Sequence, residues 1–314
     1  MHQGPSPTPR SFEFYALRFS FLVDEAIRFP AGKQGNVLRG AFGTILKRIA
    51  CVPACTDVRT CEFQTSCTYA RIFEPRLRGG PSGLADLPRP FVFRARHLDG
   101  CDIGPGHGFH FDLHVFDLHQ PVLDSFVHTF AEMARAGIGP RRARARLVRV
   151  HSLDQGACPL ARISDGPPPL VRVPLDPPPG DVTRIRVEFL TPTELKSEHR
   201  IVEYPEFKVL FGRARDRLST LSAAYGHGPL AIDFQRLGEQ AAEVRLTRSE
   251  LRTIQSDRRS SRTGMIHSIG GFVGWAEYDG TLAPLVPYLQ AARWTGIGRQ
   301  TVWGKGEIEV HILS

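Results

Sequence analysis

Near its C-terminal end the chain reads Gly296-Ile297-Gly298-Arg299-Gln300-Thr301-Val302-Trp303-Gly304-Lys305-Gly306. Four glycines and two cations in eleven residues suit contact with an anion. Glycine lets a backbone approach a ligand closely and take positive φ. Loop amides beside Arg299 and Lys305 match a phosphate-rich partner. Gly296 and Gly298 follow an apolar helix-like stretch and precede the alternating strand Glu307-Ile308-Glu309-Val310. That order excludes both the Walker-type P-loop and the dinucleotide fingerprint, which run from strand to helix. Trp303 can stack on a base or lock the loop into a core.

Gly137-Ile138-Gly139 repeats the motif, again after an apolar helix-like stretch, and leads into the densest basic run, Arg141, Arg142, Arg144 and Arg146. Arg144 and Arg146 share one face of an alternating strand. They can track phosphates or form a solvated edge that blocks aggregation. Arg258, Arg259 and Arg262 precede His267, which leads into Gly270-Gly271. An imidazole titrating near neutrality in that setting can meet a phosphate, or simply hydrogen-bond its own loop. His107, His110, His114 and His119 gather around one predicted strand, with His110 and His114 on the same face. They read as a polar sheet face before a metal or RNA site.

Cys51, Cys55, Cys61 and Cys67 fall within seventeen residues. In a reducing compartment such clustering reads as thiols or a metal site before disulfides. The spacing matches no standard zinc knuckle, yet four thiolates can close a tetrahedral zinc site that staples a long loop. Free structural thiols are the alternative. Cys101 and Cys158 are isolated and expected to be packed.

The 314 residues suffice for two domains, and 41% hydrophobic content can fill their cores. The net charge of +8, carried mostly by arginine, points to nucleic acid or another anionic surface. No run approaches the roughly 20 apolar residues of a membrane span. A cytoplasmic protein is expected, with a disordered polar tail over 1–10.

Elements that could position these groups follow from the periodicity. Residues 11–23 alternate as a strand with one wet face. Asn36 is a candidate N-cap for a helix over 37–50. Strands are predicted over 91–98 and 109–118, a helix over 122–136 and a strand over 144–151. The order βα, ββ, αβ is that of a ferredoxin-like or RRM-like unit. Two triple-proline runs mark 152–180 as a Pro-rich linker, part of which can run as an extended strap across the first sheet. Beyond it the order recurs: strand 184–190, helix 206–224, strands 242–246 and 271–278, helix 282–292, strand 307–313. The fold class is therefore α+β, with tandem ferredoxin-like domains built on antiparallel sheets. The first spans 11–151 with a cysteine-rich insertion at 51–67, and the second spans 181–314.

Several segments, taken in order, resemble the CRISPR-associated repeat-processing endoribonucleases of the RAMP superfamily, in the branch whose first domain bears cysteines. They are Asn36-Val37-Leu38-Arg39-Gly40-Ala41-Phe42-Gly43, Cys61 to Cys67 with Tyr69-Ala70-Arg71-Ile72-Phe73-Glu74-Pro75, Leu190-Thr191-Pro192-Thr193, His267-Ser268-Ile269-Gly270-Gly271, and the final glycine loop. The resemblance implies a basic cleft between two ferredoxin-like domains. It also implies metal-independent cleavage of a CRISPR precursor RNA within its repeats. In that reaction a ribose 2′-hydroxyl attacks the adjacent phosphate and leaves 2′,3′-cyclic phosphate and 5′-hydroxyl ends. Such chemistry needs alignment, proton transfer and neutralisation of developing charge.

Many members of that family carry a catalytic His on or near the first helix, but this chain has none between His2 and His97. The cations there are Lys33, Arg39, Lys47 and Arg48, of which Lys47 and Arg48 read as a solvated helix face. The candidate catalytic set is thus His267, Lys33 and Arg39. RNA contact is expected from Arg141, Arg142, Arg144, Arg258, Arg259, Arg262, Gly296, Gly298, Arg299 and Lys305. The resemblance implies no cofactor for catalysis, CRISPR repeat RNA as the partner, and association with CRISPR effector subunits. Its alternative is a non-catalytic RAMP subunit that holds guide RNA in an effector complex.

Overall fold

The computed structural model describes residues 10–52, 55–75, 87–119, 122–198, 200–255, 257–259, 266–268 and 270–314, with 257–259 and 266–268 described by backbone alone. The expected tail therefore lies, except for Arg10, outside the described residues.

The first half contains β1 (Ser11–Val23), β2 (Ile27–Arg28), α1 (Gln34–Ala50), α2 (Thr68–Phe73), β3 (Phe91–Arg94), β4 (Asp102–Ile103), β5 (Gly108–Val115), α3 (Val122–Ala136) and β6 (Ala145–Leu153). Apart from the small β2–β4 ladder and α2, this is βαββαβ, and its antiparallel sheet runs β3-β5-β1-β6. Next come β7 (Pro159–Arg162) and β8 (Val171–Pro174), then β9 (Arg184–Thr193), β10 (Lys196–Ser197), β11 (Arg200–Ile201), α4 (Phe207–Tyr225), α5 (Phe234–Glu243), β12 (Arg245–Ile254), β13 (Asp257–Arg259), β14 (Ile266–Ser268), β15 (Gly271–Asp279), α6 (Val286–Thr295) and β16 (Ile308–Ile312). The sheet β12-β15-β9-β16 repeats the first strand order, position for position. Both halves are thus ferredoxin-like.

Three local expectations change. The 152–180 stretch is not a free linker. Its β7 pairs with β6, and its β8 pairs Val171–Pro174 against Ser11–Phe14 of β1. Val171 and Val173 alternate inward, so this segment has apolar surface to bury and joins the first sheet. Helix α1 begins earlier than Asn36 suggested, with Lys33 as N-cap and Val37 N–H donating to Lys33 O at 2.9 Å. Helix α5 is additional; Asp233 caps it by accepting from Arg236 N–H at 2.9 Å.

The largest correction concerns β1. Its odd-numbered residues, Leu17, Phe19 and Phe21 among them, face a core shared with α1 and α3. Its even-numbered residues Phe12, Phe14 and Ala16 face a second core shared with α4 and α6. The expected wet face is therefore largely covered, with the Phe14 and Trp294 rings 5.1 Å apart. Helix α6 is buried almost all round, as a helix lying between layers must be. The molecule stacks α1 and α3, the first sheet, α4 and α6, then the second sheet. The seam between halves is filled rather than an open basic cleft.

Polar groups in that seam converge on the last turn of α6. Arg94 donates from Nη2 to the carbonyls of Arg293 (2.8 Å) and Trp294 (3.1 Å). His114 Nδ1 hydrogen-bonds Trp294 O at 2.8 Å, and Arg217 Nε donates to Thr295 O at 3.1 Å. A helix C-terminus carries unsatisfied carbonyls and partial negative charge, and these donors meet both. Burial, with Arg94 beside it, pushes the His114 imidazole down to about 3. Burial likewise lowers Arg217 to about 9. His114, expected on a polar sheet face, is a neutral cap between the halves.

An unfolded imidazole takes its proton near pH 6.5, whereas His114 in the fold resists it down to about 3. Stability linked to this group is present at neutral pH and lost as the pH falls below about 6.5. His114→Asn keeps a donor where Nδ1 stands and removes the titration. Between pH 7 and 5 the parent should lose about 2 kcal/mol more than this variant in urea unfolding. Parallel losses would show that His114 is protonated in the fold.

Candidate RNA interface

The two Gly-Ile-Gly loops occupy the same place in each half, between the second helix and the last strand of the βαββαβ unit. In each, the isoleucine is buried and its N–H donates across the loop, Ile138 to Ala143 O at 2.9 Å and Ile297 to Gly306 O at 2.8 Å. Gly306 has φ 68°, and a Cβ there would collide with Ile297 O.

Both loops converge on the first turns of α1. From one side a Cβ at Gly139 would stand 3.7 Å from Val37 Cγ1. From the other, a Cβ at Gly35 would collide with the Trp303 carbonyl, so glycine is required for the loop to lie against the helix. The turn Thr301–Trp303 puts Val302 into the first core. The Arg39 guanidinium lies 4.4 Å from the Phe73 ring centroid and 5.3 Å from that of Trp303. Arg39 is thus stacked between α2 and the second loop, a cation–π arrangement that fixes the loop on α1.

This placement revises the phosphate-cradle reading of Gly296 to Gly306. The N–H groups of Gly296, Ile297, Arg299, Trp303, Gly304 and Gly306 already donate to Ala292, Gly306, Glu194, Gln300, Thr301 and Pro192 carbonyls. Arg299 pairs through Nη1 with Glu194 Oε1 at 2.5 Å, though its side chain stays 51% exposed. Lys305 is only 7% exposed, because the loop is wedged against the first half. Burial lowers its pKa, and Asp99 opposes that shift. Lys305 is therefore not the surface cation its sequence context suggested.

Exposed cations lie across α1 from that wedge. A cleft of about 620 Å³ runs along α1 and the first loop, lined by Lys33, Asn36, Thr44, Arg48 and Arg142 among others. Arg141 lines an adjoining hollow with Arg28. Among the described residues, Lys33, Arg141 and Arg142 make no ion pair. Arg48 lies 3.8 Å from Glu132, and it belongs to the cleft rather than to a plain solvated face. Arg144 differs. It holds Glu25 at 2.7 Å and Arg146 holds Asp24 at 3.1 Å, so this part of the basic run clamps the turn after β1. Asn36, Thr44 and Arg28 were missed as site residues because polar residues at helical spacing look like any wet face.

His267 and Arg258 are direct cross-strand partners in the β13–β14 ribbon, with Arg259 opposite Ile266. Arg262 lies outside the described residues. Among the described residues, no histidine lines the α1 cleft. The His97 and His110 rings stack at 4.3 Å, with burial and then His97 lowering the His110 pKa. His227 meets Glu13 at 3.2 Å. Two groups offer metal-ligand chemistry: the four half-buried free thiols after α1, and Glu188, Glu309 and His311 on the open face of the second sheet. Among the described residues, no helix is long and apolar enough to cross a membrane.

Comparison with known proteins matches this architecture. Residues 12–171 match the model of the AF_1859_N N-terminal domain, and residues 187–308 match that of the CRISPR-associated endoribonuclease Cas6. No curated protein matches the chain significantly in sequence. Among solved structures, a Cas6 (TTHB231) product complex is 17% identical with TM-score 0.57, over 96% of this chain and 100% of that one. The same protein, solved as Thermus thermophilus Cas6, aligns at 16% identity and TM-score 0.54, over 97% and 100%. A partial Cas6-RT-Cas1–Cas2 complex aligns at 13% identity and TM-score 0.55, over 97% of this chain and 47% of that one. Structural likeness at such identity speaks for the fold, and the family models carry the assignment. The chain belongs to the Cas6 family of CRISPR-associated endoribonucleases, with an AF_1859-type N-terminal domain.

Proposed function

We propose that this chain binds CRISPR repeat RNA along the α1 cleft and cleaves it by attack of a ribose 2′-hydroxyl on the adjacent phosphate, without a metal in the reaction. The products are a 2′,3′-cyclic phosphate and a 5′-hydroxyl. The observation that carries the reading is the convergence of both glycine loops on the first turns of α1, beside exposed Lys33 and Arg142.

Each cation then has a distinct task. Lys33 is a compact, flexible point charge at the mouth of α1 and can follow the negative charge that grows on the phosphorane. Arg141 and Arg142, on the first loop, hold the RNA backbone. Arg39 acts at one remove, because its guanidinium is stacked between Phe73 and Trp303. It positions the second loop rather than touching the phosphate. Proton transfer falls to His267, which the β13–β14 ribbon pairs with Arg258.

Repeat RNA incubated with the protein in EDTA should be cut at one position, and a 2′-deoxy sugar there should abolish cutting. Dependence on a divalent ion, or cutting of the deoxy substrate, would overturn the mechanism. Lys33→Ala should slow single-turnover cleavage by about 10²–10³-fold while binding changes little. Arg142→Ala should weaken binding and flatten the slope of log affinity against log salt by about one. Parental behaviour in both variants would move the site away from α1. His267→Ala should lose about 10²–10⁴ in rate, and full activity would remove His267 from the reaction.

A further inference from the structure

Cys51 is the C-cap of α1, Cys67 is the N-cap of α2, and Cys55 and Cys61 lie on the excursion between them. All four are half-buried and none is in a disulfide. Cys51 and Cys67 both pack against the first core. The fold also brings the side chains into a string, with Cys67 and Cys55 against Cys51, and Cys61 against Cys55. Four thiols crowded together, of which only Cys51 and Cys67 pack against the core, leave the cluster's purpose unexplained by packing.

The described residues of the excursion bury little apolar surface. Val58 is buried, whereas Val52 is 41% and Phe63 is 55% exposed. Ordering each residue costs roughly 1–2 kcal/mol of backbone entropy, and a segment without a core offsets this with cross-links or a metal. Four soft sulfur donors select zinc in tetrahedral geometry. A divalent ion with four thiolates keeps two negative charges. Lys47, in the last turn of α1, places a cation near Cys55 to offset part of that charge.

We propose that Cys51, Cys55, Cys61 and Cys67 bind one zinc ion as a tetrathiolate that staples the end of α1 to the start of α2. The string is more open than a bound tetrahedron, and closure around the ion brings neighbouring sulfurs to about 3.8 Å. Binding releases the thiol protons, up to one from each ligand. The staple has a consequence beyond its own loop. It fixes α2, whose Phe73 carries Arg39, which in turn faces Trp303 of the second glycine loop. Arg71 on the same helix is anchored separately, to Asp117 at 2.7 Å.

Elemental analysis of the purified full chain should give about one zinc per chain. Replacing the zinc with cobalt(II) should produce thiolate-to-cobalt charge-transfer absorption and the strong visible bands of a tetrahedral site. Cys55→Ser and Cys61→Ser should each lose zinc to a chelator that leaves the parent loaded. Removing zinc from the parent should speed protease cleavage between residues 51 and 67 and shift tryptophan emission. Substoichiometric zinc together with a cobalt spectrum lacking the thiolate band would overturn the proposal, whether mass spectrometry then finds two disulfides or four free thiols. The cobalt titration uses the unmutated chain, so the test survives a variant that fails to fold.

Discussion

The C-terminal end of α6 is the constraint on which the arrangement turns. Its last carbonyls receive Arg94 and His114 from the first sheet and Arg217 from α4. Arg94 and His114 are buried, so the contact is made in a setting where an unmet polar group is expensive and a met one is specific. Because two of the donors belong to the other half, α6 cannot rotate or slide without leaving a buried cation or imidazole unmatched. Gly296 follows directly, so the clamp also sets where the second glycine loop leaves the helix. The loop's wedge against Gly35 and the Arg39 stack are downstream of that direction.

The two halves of the duplicated fold are packed unequally. Each is βαββαβ with the same strand order, and each ends its second helix in Gly-Ile-Gly. The first half has both sheet faces largely covered, by its own helices and by α4 and α6. The second half leaves its outer face open, where Arg186 lies 4.4 Å over the Trp275 ring. Docking the second half's helices on the first sheet carries the second loop to α1, where the first loop already lies.

What the sequence disclosed, and what it hid, follows from the range of the interactions involved. The strands, most helices and both glycine loops could be read directly, because periodicity and positive-φ glycines act over a few residues. The fate of individual cations could not. Arg144 meets Glu25 across a separation of 119 residues, so the basic run looked uniformly available when part of it was neutralised. Lys305 is covered by the first half of the chain, which nothing in its own neighbourhood announces. The alternation of β1 suggested one dry face, since Phe12 and Phe14 acquire their cover from a helix nearly three hundred residues away. His114 looked like one more polar residue on a strand, and its role as a cap exists only once α6 is placed against it.

The charge of +8 acquires its meaning only after such pairing is counted. Arg18, Arg71, Arg144, Arg146, Arg184 and Arg186 all hold carboxylates within 3.1 Å, so they stiffen the fold and contribute little outward field. Lys33, Arg141 and Arg142 take no carboxylate partner among the described residues, and neither do Arg248 and Arg252 on the edge strand β12. The first three line one cleft and its adjoining hollow. An anionic chain is drawn to charge that is both exposed and uncompensated, so the α1 cleft attracts it more strongly than the denser but paired run at Arg144 and Arg146. Arginine abundance alone would have favoured the latter. The ion pairs remove those residues from competition, which is why the proposed phosphate path follows the α1 cleft.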